Sequence, residues 1–95
     1  MIRSFADKET EKLFNREFPR RLPQELHRSI LRKLLILDAA EVLNDLRVPP
    51  SNHLEKLRHA SGEYYSVRIN DQWRLCFAWR ENNAYEVQVI DYHKG

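Results

Sequence analysis

The sequence predicts an α+β fold in which N-terminal helices pack on a small antiparallel sheet. Two observations carry this prediction. Apolar residues recur at helical spacing before Pro50 and at a spacing of about two after it. The segments between the later apolar stretches are short, so consecutive strands must run antiparallel. Because domains usually contain about 100–200 residues, the 95 residues are expected to form a single domain, residues 1–95.

The first 40 residues contain one short and one long predicted helix. A short strand, Ile2 to Phe5, precedes Asp7, the expected N-cap of a short helix whose apolar side includes Leu13 and Phe14. The basic pair Arg20-Arg21 lies in a loop bracketed by prolines. From residue 24 to residue 40, apolar side chains recur at i, i+4, i+8 and i+11 and predict an amphipathic helix. These side chains are Leu26, Ile30, Leu34 and Leu37.

The apolar pattern of the long helix continues to Leu46 after a bend near Asp38, and Pro49-Pro50 ends it. Four strands are then predicted: Leu54–Leu57, Tyr64–Ile69, Trp73–Trp79 and Tyr85–Tyr92. The turns between them are Ser61-Gly62, Asn70-Asp71-Gln72 and Glu81-Asn82-Asn83. The apolar parity of the strands is expected to face the helices, because a strand places alternate residues on opposite faces.

Composition narrows the function classes. No apolar run approaches the ~18–20 residues of a membrane span, and the first residues lack the apolar core of a signal peptide, so a cytoplasmic protein is expected. The single cysteine, Cys76, excludes an internal disulfide and a multi-cysteine zinc site. No glycine-rich phosphate loop is present. A net charge of +2 permits a polyanionic partner without requiring one.

The sheet face opposite the helices is predicted to hold two arginines and a phenol. Arg68, Arg74 and Tyr92 come from separate strands onto this face, and the small residues beside them predict a shallow hollow. These small residues are Ser66, Cys76 and Ala78. Guanidinium groups donate paired hydrogen bonds to phosphate oxygens, and a tyrosine ring stacks on a base, so this face suits a phosphodiester. The alternative is an ordinary solvated face, which carries polar residues in any case.

A short motif with acid–base potential, Asp91-Tyr92-His93, lies at the end of the last predicted strand. Histidine gains or loses a proton near neutral pH, and an acid two positions earlier lies on the same side of an extended chain. The alternative is a terminal histidine that is simply solvated.

The order and spacing of several short motifs resemble a known family. They are SVRINDQWRLCF at residues 66–77, VIDYH at 89–93, the opening residues 1–5, and the stretch 34–50 with LDAA and DLR. Together they resemble the HigB toxins, of the HigB/GraT type, in the RelE/ParE superfamily of bacterial toxin–antitoxin systems. The resemblance covers almost the whole chain and implies a RelE-like, microbial-ribonuclease-like fold. It also implies an mRNA endonuclease that acts on the translating ribosome without a metal or other cofactor.

The resemblance assigns roles to individual residues. Arg74 matches a phosphate-stabilising arginine, and His93 the proton-transfer group. Tyr92 matches a base-stacking residue, and Asp91 the acid that supports the histidine. Arg68 matches a phosphate contact. Lys56, Arg20 and Arg21 are further candidates for RNA binding.

One position departs from the family pattern. Better-known HigB toxins carry a histidine on the strand predicted at Leu54–Leu57, where this chain has Glu55, with His53 two positions earlier. Glu55 is therefore the candidate second catalytic group, and the identity of the general base stays open.

The implied partners are the ribosome with its mRNA and a HigA-type antitoxin with a helix-turn-helix domain. Operator DNA is reached only through that antitoxin, and no membrane is involved. Two alternatives remain. A ParE-like poison of DNA gyrase is disfavoured by the terminal Asp-Tyr-His. A non-catalytic antitoxin-binding module that represses its operon would tolerate mutation of His93 and Arg74.

Overall fold

The computed structural model describes residues 1–58 and 62–92, which form two helices and a four-stranded antiparallel sheet. The helices are α1 (Lys8–Phe14) and α2 (His27–Ala39). The strands are β1 (Glu55–Leu57), β2 (Tyr64–Arg68), β3 (Trp73–Arg80) and β4 (Asn83–Asp91), in the sheet order β1-β2-β3-β4. The predicted α+β architecture, with helices on a small antiparallel meander, is confirmed.

Local capping explains where α1 begins. The side chain of Asp7 accepts a hydrogen bond from the Thr10 amide at 2.9 Å, which satisfies one of the free N–H groups of the first turn. The predicted N-cap is confirmed. The predicted turn at Ser61-Gly62 lies partly outside the described residues.

Helix α2 is preceded by a 3₁₀ turn at Gln24–Leu26 and ends earlier than the apolar pattern predicts. The backbone becomes extended at Ala40, and a separate 3₁₀ turn, Leu43–Arg47, follows. The Asp45 carboxylate accepts the Glu41 and Val42 amides at 2.9 and 3.2 Å and so stabilises this turn. As a result Leu46 is fully buried, but Val42 is exposed, so the extension of the stripe through Val42 is wrong.

The core lies between the helices and one face of the sheet. Ile30, Leu34 and Leu37 of α2 are fully buried and pack in one cluster with Leu75 and Phe77 of β3. Both sets are those predicted from helical and strand periodicity, and they are confirmed. Burial of these side chains supplies most of the driving force for docking the helices on the sheet.

The N-terminal segment protects the outer edge of β4 without forming a regular strand. Ile2 and Phe5 each make an isolated parallel bridge to β4, where the prediction from sequence is a strand. The reason is a bulge at Glu86, whose φ is +53° and whose amide donates to Ser4 Oγ at 2.9 Å. The segment nevertheless covers an edge that would otherwise be open to pairing. Among the described residues, none of the helices is long and apolar enough to cross a membrane.

Candidate active site

Three neighbouring strands bring a guanidinium, a hydroxyl and a carboxylate together on the face of the sheet that is turned away from the helices. Glu55 of β1 is paired with Ser66 of β2, and Ser66 with Cys76 of β3. Paired residues of an antiparallel sheet point to the same face. Arg74 lies two residues from Cys76 and therefore shares this face.

Arg74 is held tightly despite its charge. Its side chain is 11% exposed; Nε donates to Ser66 Oγ at 2.6 Å, and Nη2 donates to the His53 carbonyl at 2.6 Å. The same Nη2 lies 3.3 Å from the Ser66 carbonyl and 3.6 Å from Glu55 Oε1. Among the described residues, Nη1 donates no hydrogen bond. The guanidinium is thus fixed in direction while one nitrogen stays available for an anion.

These contacts correct one expectation about Arg74. Because its parity places it off the core, the sequence predicts that removing Arg74 leaves the fold unaffected. Ser66 is fully buried, however, and its hydroxyl takes its hydrogen bond from Arg74. Truncating the arginine therefore leaves a buried polar group without that donor, which carries a stability cost.

The segment before β1 supplies a support that sequence reasoning missed. Asn52 is fully buried, and its Nδ2 donates to the carbonyls of Leu46 and Val48 at 3.0 and 3.3 Å. Its Oδ1 accepts from Lys33 Nζ at 2.5 Å. The next residue, His53, has a left-handed backbone with φ of +43°, and its carbonyl receives Arg74. Nothing in the spacing of PPSNH signals this role, because the partners of Asn52 come from other elements.

The face around Arg74 is closed rather than concave. Ser66, Cys76 and Ala78, predicted to line a solvent-exposed hollow, are all buried. Tyr64 packs against Cys76 and Ala78, and Gln88 Nε2 donates to the Tyr64 hydroxyl at 3.0 Å. The expectation is wrong because alternation predicts which face a residue occupies, whereas large neighbours on the same face determine whether solvent reaches it.

Tyr92 follows β4 on the same face and lies close to Arg74 and Glu55. Its hydroxyl is 3.9 Å from Cys76 Sγ, and its amide donates to the Gln72 carbonyl at 2.5 Å. Burial raises the pKa of Tyr92 to about 12, with further rises from Cys76 and Glu55 and an opposing effect from Arg74. At neutral pH Tyr92 is therefore a neutral phenol that donates hydrogen bonds. Burial also raises the pKa of the Cys76 thiol, which agrees with a structural cysteine.

We expect the protein to lose stability at alkaline pH. Burial raises the pKa of Tyr64, Tyr65, Tyr92 and Cys76 above their ordinary values of 10.0 and 9.0. The folded protein then holds these protons more tightly than the unfolded chain, so their contribution is complete below about pH 9 and falls as the pH rises towards 12. Urea unfolding followed by circular dichroism at pH 8, 10 and 11 measures this loss.

Tyr92→Phe is the matched variant for that titration, because it removes one titrating phenol. Its stability should fall less steeply with pH than that of the wild type. Lys33 works in the opposite direction, since burial lowers its pKa, and the comparison of the two proteins cancels its effect. Equal midpoints for the wild type at pH 8 and pH 11 would contradict the prediction.

Arg68 is placed on the same face but is engaged elsewhere. It is paired directly across the strands with Arg74, an arrangement in which like charges repel. Each arginine is balanced by its own carboxylate: Arg68 forms an ion pair with Asp71, and Arg74 lies beside Glu55. The Arg68 side chain is 36% exposed, so it remains accessible to a phosphate bound near Arg74.

The other candidate residues lie away from Arg74. Lys56 is paired with Tyr65, and Asp91 with Trp73, so both belong to the opposite face of the sheet. Arg20 and Arg21 are exposed in the loop between the two helices. His93 lies outside the described residues. Among residues 1–58 and 62–92, no cluster of three His, Cys, Asp or Glu side chains is arranged to hold a metal ion.

A protein-family model matches almost the whole chain. The model of the HigB-like toxin family, described as the RelE-like toxin of type II toxin–antitoxin system HigB, matches residues 3–93. Toxin HigB-1 of Vibrio cholerae serotype O1 is 38% identical over 95 residues, which are 99% of either chain. Endoribonuclease HigB of Proteus vulgaris is 27% identical over 96 residues, covering 98% of this chain and 100% of the relative.

Comparison with solved structures supports the fold. A chain of the YoeB–YefM complex from Staphylococcus aureus aligns with a TM-score of 0.60 over 99% of each chain, at 19% identity. At this level of identity the likeness shows a common fold and no more.

Proposed function

Because the chain belongs to the HigB-like toxin family of type II toxin–antitoxin systems, we propose that it is an endoribonuclease that cleaves mRNA on the ribosome. The observation that carries the proposal is the fixed guanidinium of Arg74, held by β1, β2 and the His53 carbonyl with one nitrogen available. The name of the Proteus vulgaris relative supports the same activity.

The proposed reaction is attack of a ribose 2′-hydroxyl on the adjacent phosphate. A base takes the hydroxyl proton, the new bond forms to phosphorus, and the 5′-oxygen leaves with a proton from an acid. Negative charge grows on the non-bridging oxygens, and a preformed cation beside them lowers the barrier. Arg74 is that cation in our proposal, because its position is set before the substrate arrives. The reaction requires no metal ion.

His93 and Glu55 are the proposed proton-transfer groups. His93 carries the role that the family resemblance implies, with Asp91 as its supporting acid. Asp91 lies on the face opposite Arg74, so it would act only through His93. Glu55 is 58% exposed and lies beside Arg74, which places a carboxylate next to the proposed phosphate position. Tyr92 offers an exposed ring for a base and a hydroxyl that stays protonated.

Dependence on the ribosome follows from the small basic surface. Phosphate contacts supply most of the non-specific affinity of a protein for nucleic acid, and this chain has a net charge of only +2. The ribosome presents the message and adds contacts, for which the exposed Arg20 and Arg21 and the partly exposed Arg68 are candidates. Lys56 lies on the opposite face of β1 from Arg74, so it would contact RNA only on that other face.

The experiment compares single-turnover cleavage of a message bound to ribosomes with cleavage of the same message free in solution. We expect cuts only in the ribosome complex. Rapid cleavage of free RNA at physiological salt would contradict the dependence on the ribosome. If neither substrate is cut, the endonuclease proposal fails, and assays for gyrase inhibition and operator repression become decisive.

The same assay ranks the two proton-transfer groups. His93→Gln should lose most of the cleavage, because histidine gains or loses a proton near neutral pH and the family resemblance assigns the proton transfer to His93. Glu55→Ala should lose less, because the family resemblance assigns the main proton transfer to His93. Glu55→His should retain or raise activity. Greater damage from Glu55→Ala than from His93→Gln would transfer the main role to Glu55.

The proposed partner is a HigA-type antitoxin encoded beside the toxin. Membership in a toxin–antitoxin family supports an antitoxin, while its type is part of the proposal. Such an antitoxin would bind operator DNA, and this chain would reach the operator only through it.

A further inference from the structure

Helix α2 carries a second apolar stripe that the core does not use. The first stripe, Ile30, Leu34 and Leu37, is fully buried. Leu31, Leu35 and Ala39 recur at i, i+4 and i+8 on another side of the helix, and Leu35 is 42% exposed. Leucines at this spacing on a solvent-facing side are typical of a helix that packs against a second partner.

This stripe lines two adjoining grooves, which we call the α2 groove. The part near the end of α1 is about 520 Å³ in volume and is lined by Leu13, Phe18 and Leu31 among others. The other part is lined by Leu31, Leu35, Ile36 and Ala39, so Leu31 and Arg28 belong to both parts. Phe18 is 81% exposed, and its ring stacks on His27 with centroids 6.2 Å apart. An aromatic ring so exposed beside an apolar groove offers an anchoring contact to a partner.

The rim of the α2 groove is basic. Arg16 and Arg28 line the first part, and Arg28 and Arg32 line the second. Among the described residues that line the two parts, Glu25 is the one acidic residue. A second copy of this chain would bring Arg28 and Arg32 close to their own counterparts across a two-fold axis, so the charges oppose self-association. The chemistry that fits is an apolar ridge flanked by carboxylates.

We propose that the α2 groove binds an amphipathic, acidic helix of the antitoxin. Apolar side chains of that helix at i, i+3 or i+4, and i+7 would fill the groove, and its Asp and Glu side chains would face the three arginines. The 13 residues of α2 span about 20 Å, so a partner helix of about three to four turns would cover it. The proposal rests on the proposed function for the existence of an antitoxin. RNA fits less well, because most of the described lining is aliphatic and the rings available to stack on bases are the adjacent pair Phe18 and His27.

The groove lies in the helix layer, whereas Arg74 lies on the other face of the sheet. Substitutions in the groove should therefore weaken antitoxin binding without changing RNA cleavage. This separation makes the binding surface testable independently of the active site.

The test measures binding of the protein encoded by the neighbouring reading frame, by isothermal titration calorimetry with purified full-length chains. Leu35→Glu should weaken binding at least tenfold, because it places a charge in the apolar groove. Arg28→Glu/Arg32→Glu should weaken binding at least tenfold and remove much of its salt dependence. All variants should retain wild-type cleavage on ribosomes and wild-type circular dichroism.

Two matched control variants introduce the same kinds of substitution at positions outside the α2 groove. Val42→Glu alters a residue that is 45% exposed, close to the value for Leu35, and should bind normally. Arg3→Glu/Lys8→Glu makes the same change of charge at exposed positions that do not line the groove, and should also bind normally.

Three outcomes would overturn the proposal. Normal antitoxin binding by both groove variants would show that the antitoxin docks elsewhere. Loss of ribosome binding with antitoxin binding intact would assign the groove to the ribosome, and a dimer that Leu35→Glu converts to monomer would assign it to self-association. In each case cleavage by the wild-type protein would still stand, so failure of this proposal is distinguishable from failure of the proposed nuclease.

Discussion

Replacing Arg74 with alanine is expected to reduce mRNA cleavage by roughly a hundred- to a thousandfold, the effect of removing one preorganised donor from a developing anion. The guanidinium is fixed by the Ser66 hydroxyl, the His53 carbonyl and Glu55 before substrate binds, whereas the neighbouring Arg68 is engaged with Asp71. Single-turnover cleavage on ribosome complexes measures the loss.

The structure requires a second variant for this position. Arg74→Ala also removes the hydrogen bond to the buried Ser66 hydroxyl, and a buried polar group without its partner costs about 1–3 kcal/mol. Arg74→Lys keeps the positive charge and one donor but loses the planar fork that binds phosphate oxygens in pairs. It should be more stable than Arg74→Ala and still lose most of the activity.

Arg80→Ala is the control for Arg74. Arg80 lies at the other end of β3, is exposed, and stacks on Tyr85 with its guanidinium carbon 4.1 Å from the ring centroid. Its removal should change neither cleavage nor the melting temperature strongly. An Arg74→Lys protein that is folded and cleaves at the wild-type rate would show that paired phosphate contacts are not needed.

Asn52→Ala is expected to damage both the stability and the activity of the protein. The amide donates to the Leu46 and Val48 carbonyls and accepts from Lys33, so truncation deprives three groups of a partner. Each buried group left unsatisfied costs roughly 1–3 kcal/mol, a large part of a total stability of about 5–15 kcal/mol. His53 is the next residue along the chain, and its carbonyl accepts a hydrogen bond from Arg74. Loss of the Asn52 contacts should therefore also loosen the orientation of the Arg74 guanidinium.

Urea unfolding measures the first effect, and cleavage at a temperature where the variant is still folded measures the second. Asn44→Ala is the matched control, since Asn44 is an exposed asparagine whose side chain accepts a hydrogen bond from Arg47 at 3.1 Å. It should unfold at nearly the wild-type urea concentration. If Asn52→Ala did so as well, the buried hydrogen bonds of Asn52 would contribute no net stability.

The features that depend on local spacing were predictable from the amino-acid sequence alone. The 3.6-residue period predicted the core stripe of α2, and alternation predicted the helix-facing side of β2, β3 and β4, because burial selects apolar residues at regular intervals. Local hydrogen bonding explains why the Asp7 cap was predictable. The face of Arg68 and Arg74 followed from the same alternation.

How those faces are filled depends on contacts between separate elements of the fold. The hollow predicted around Cys76 is closed, because the large side chain of Tyr64, from the neighbouring strand, packs over Cys76 on the same face. The alternation of the strand predicts the face of a residue but not whether a large neighbour covers it. Arg74 is gripped by the His53 carbonyl, 21 residues away, and the support from Asn52 depends on Lys33, 19 residues away. Such contacts arise where separate elements meet, and no local pattern in the chain encodes that meeting. The outward stripe of α2 also has helical spacing, so the spacing alone does not tell which of the two stripes packs on the sheet. The packing of α2 on the sheet leaves Leu35 exposed.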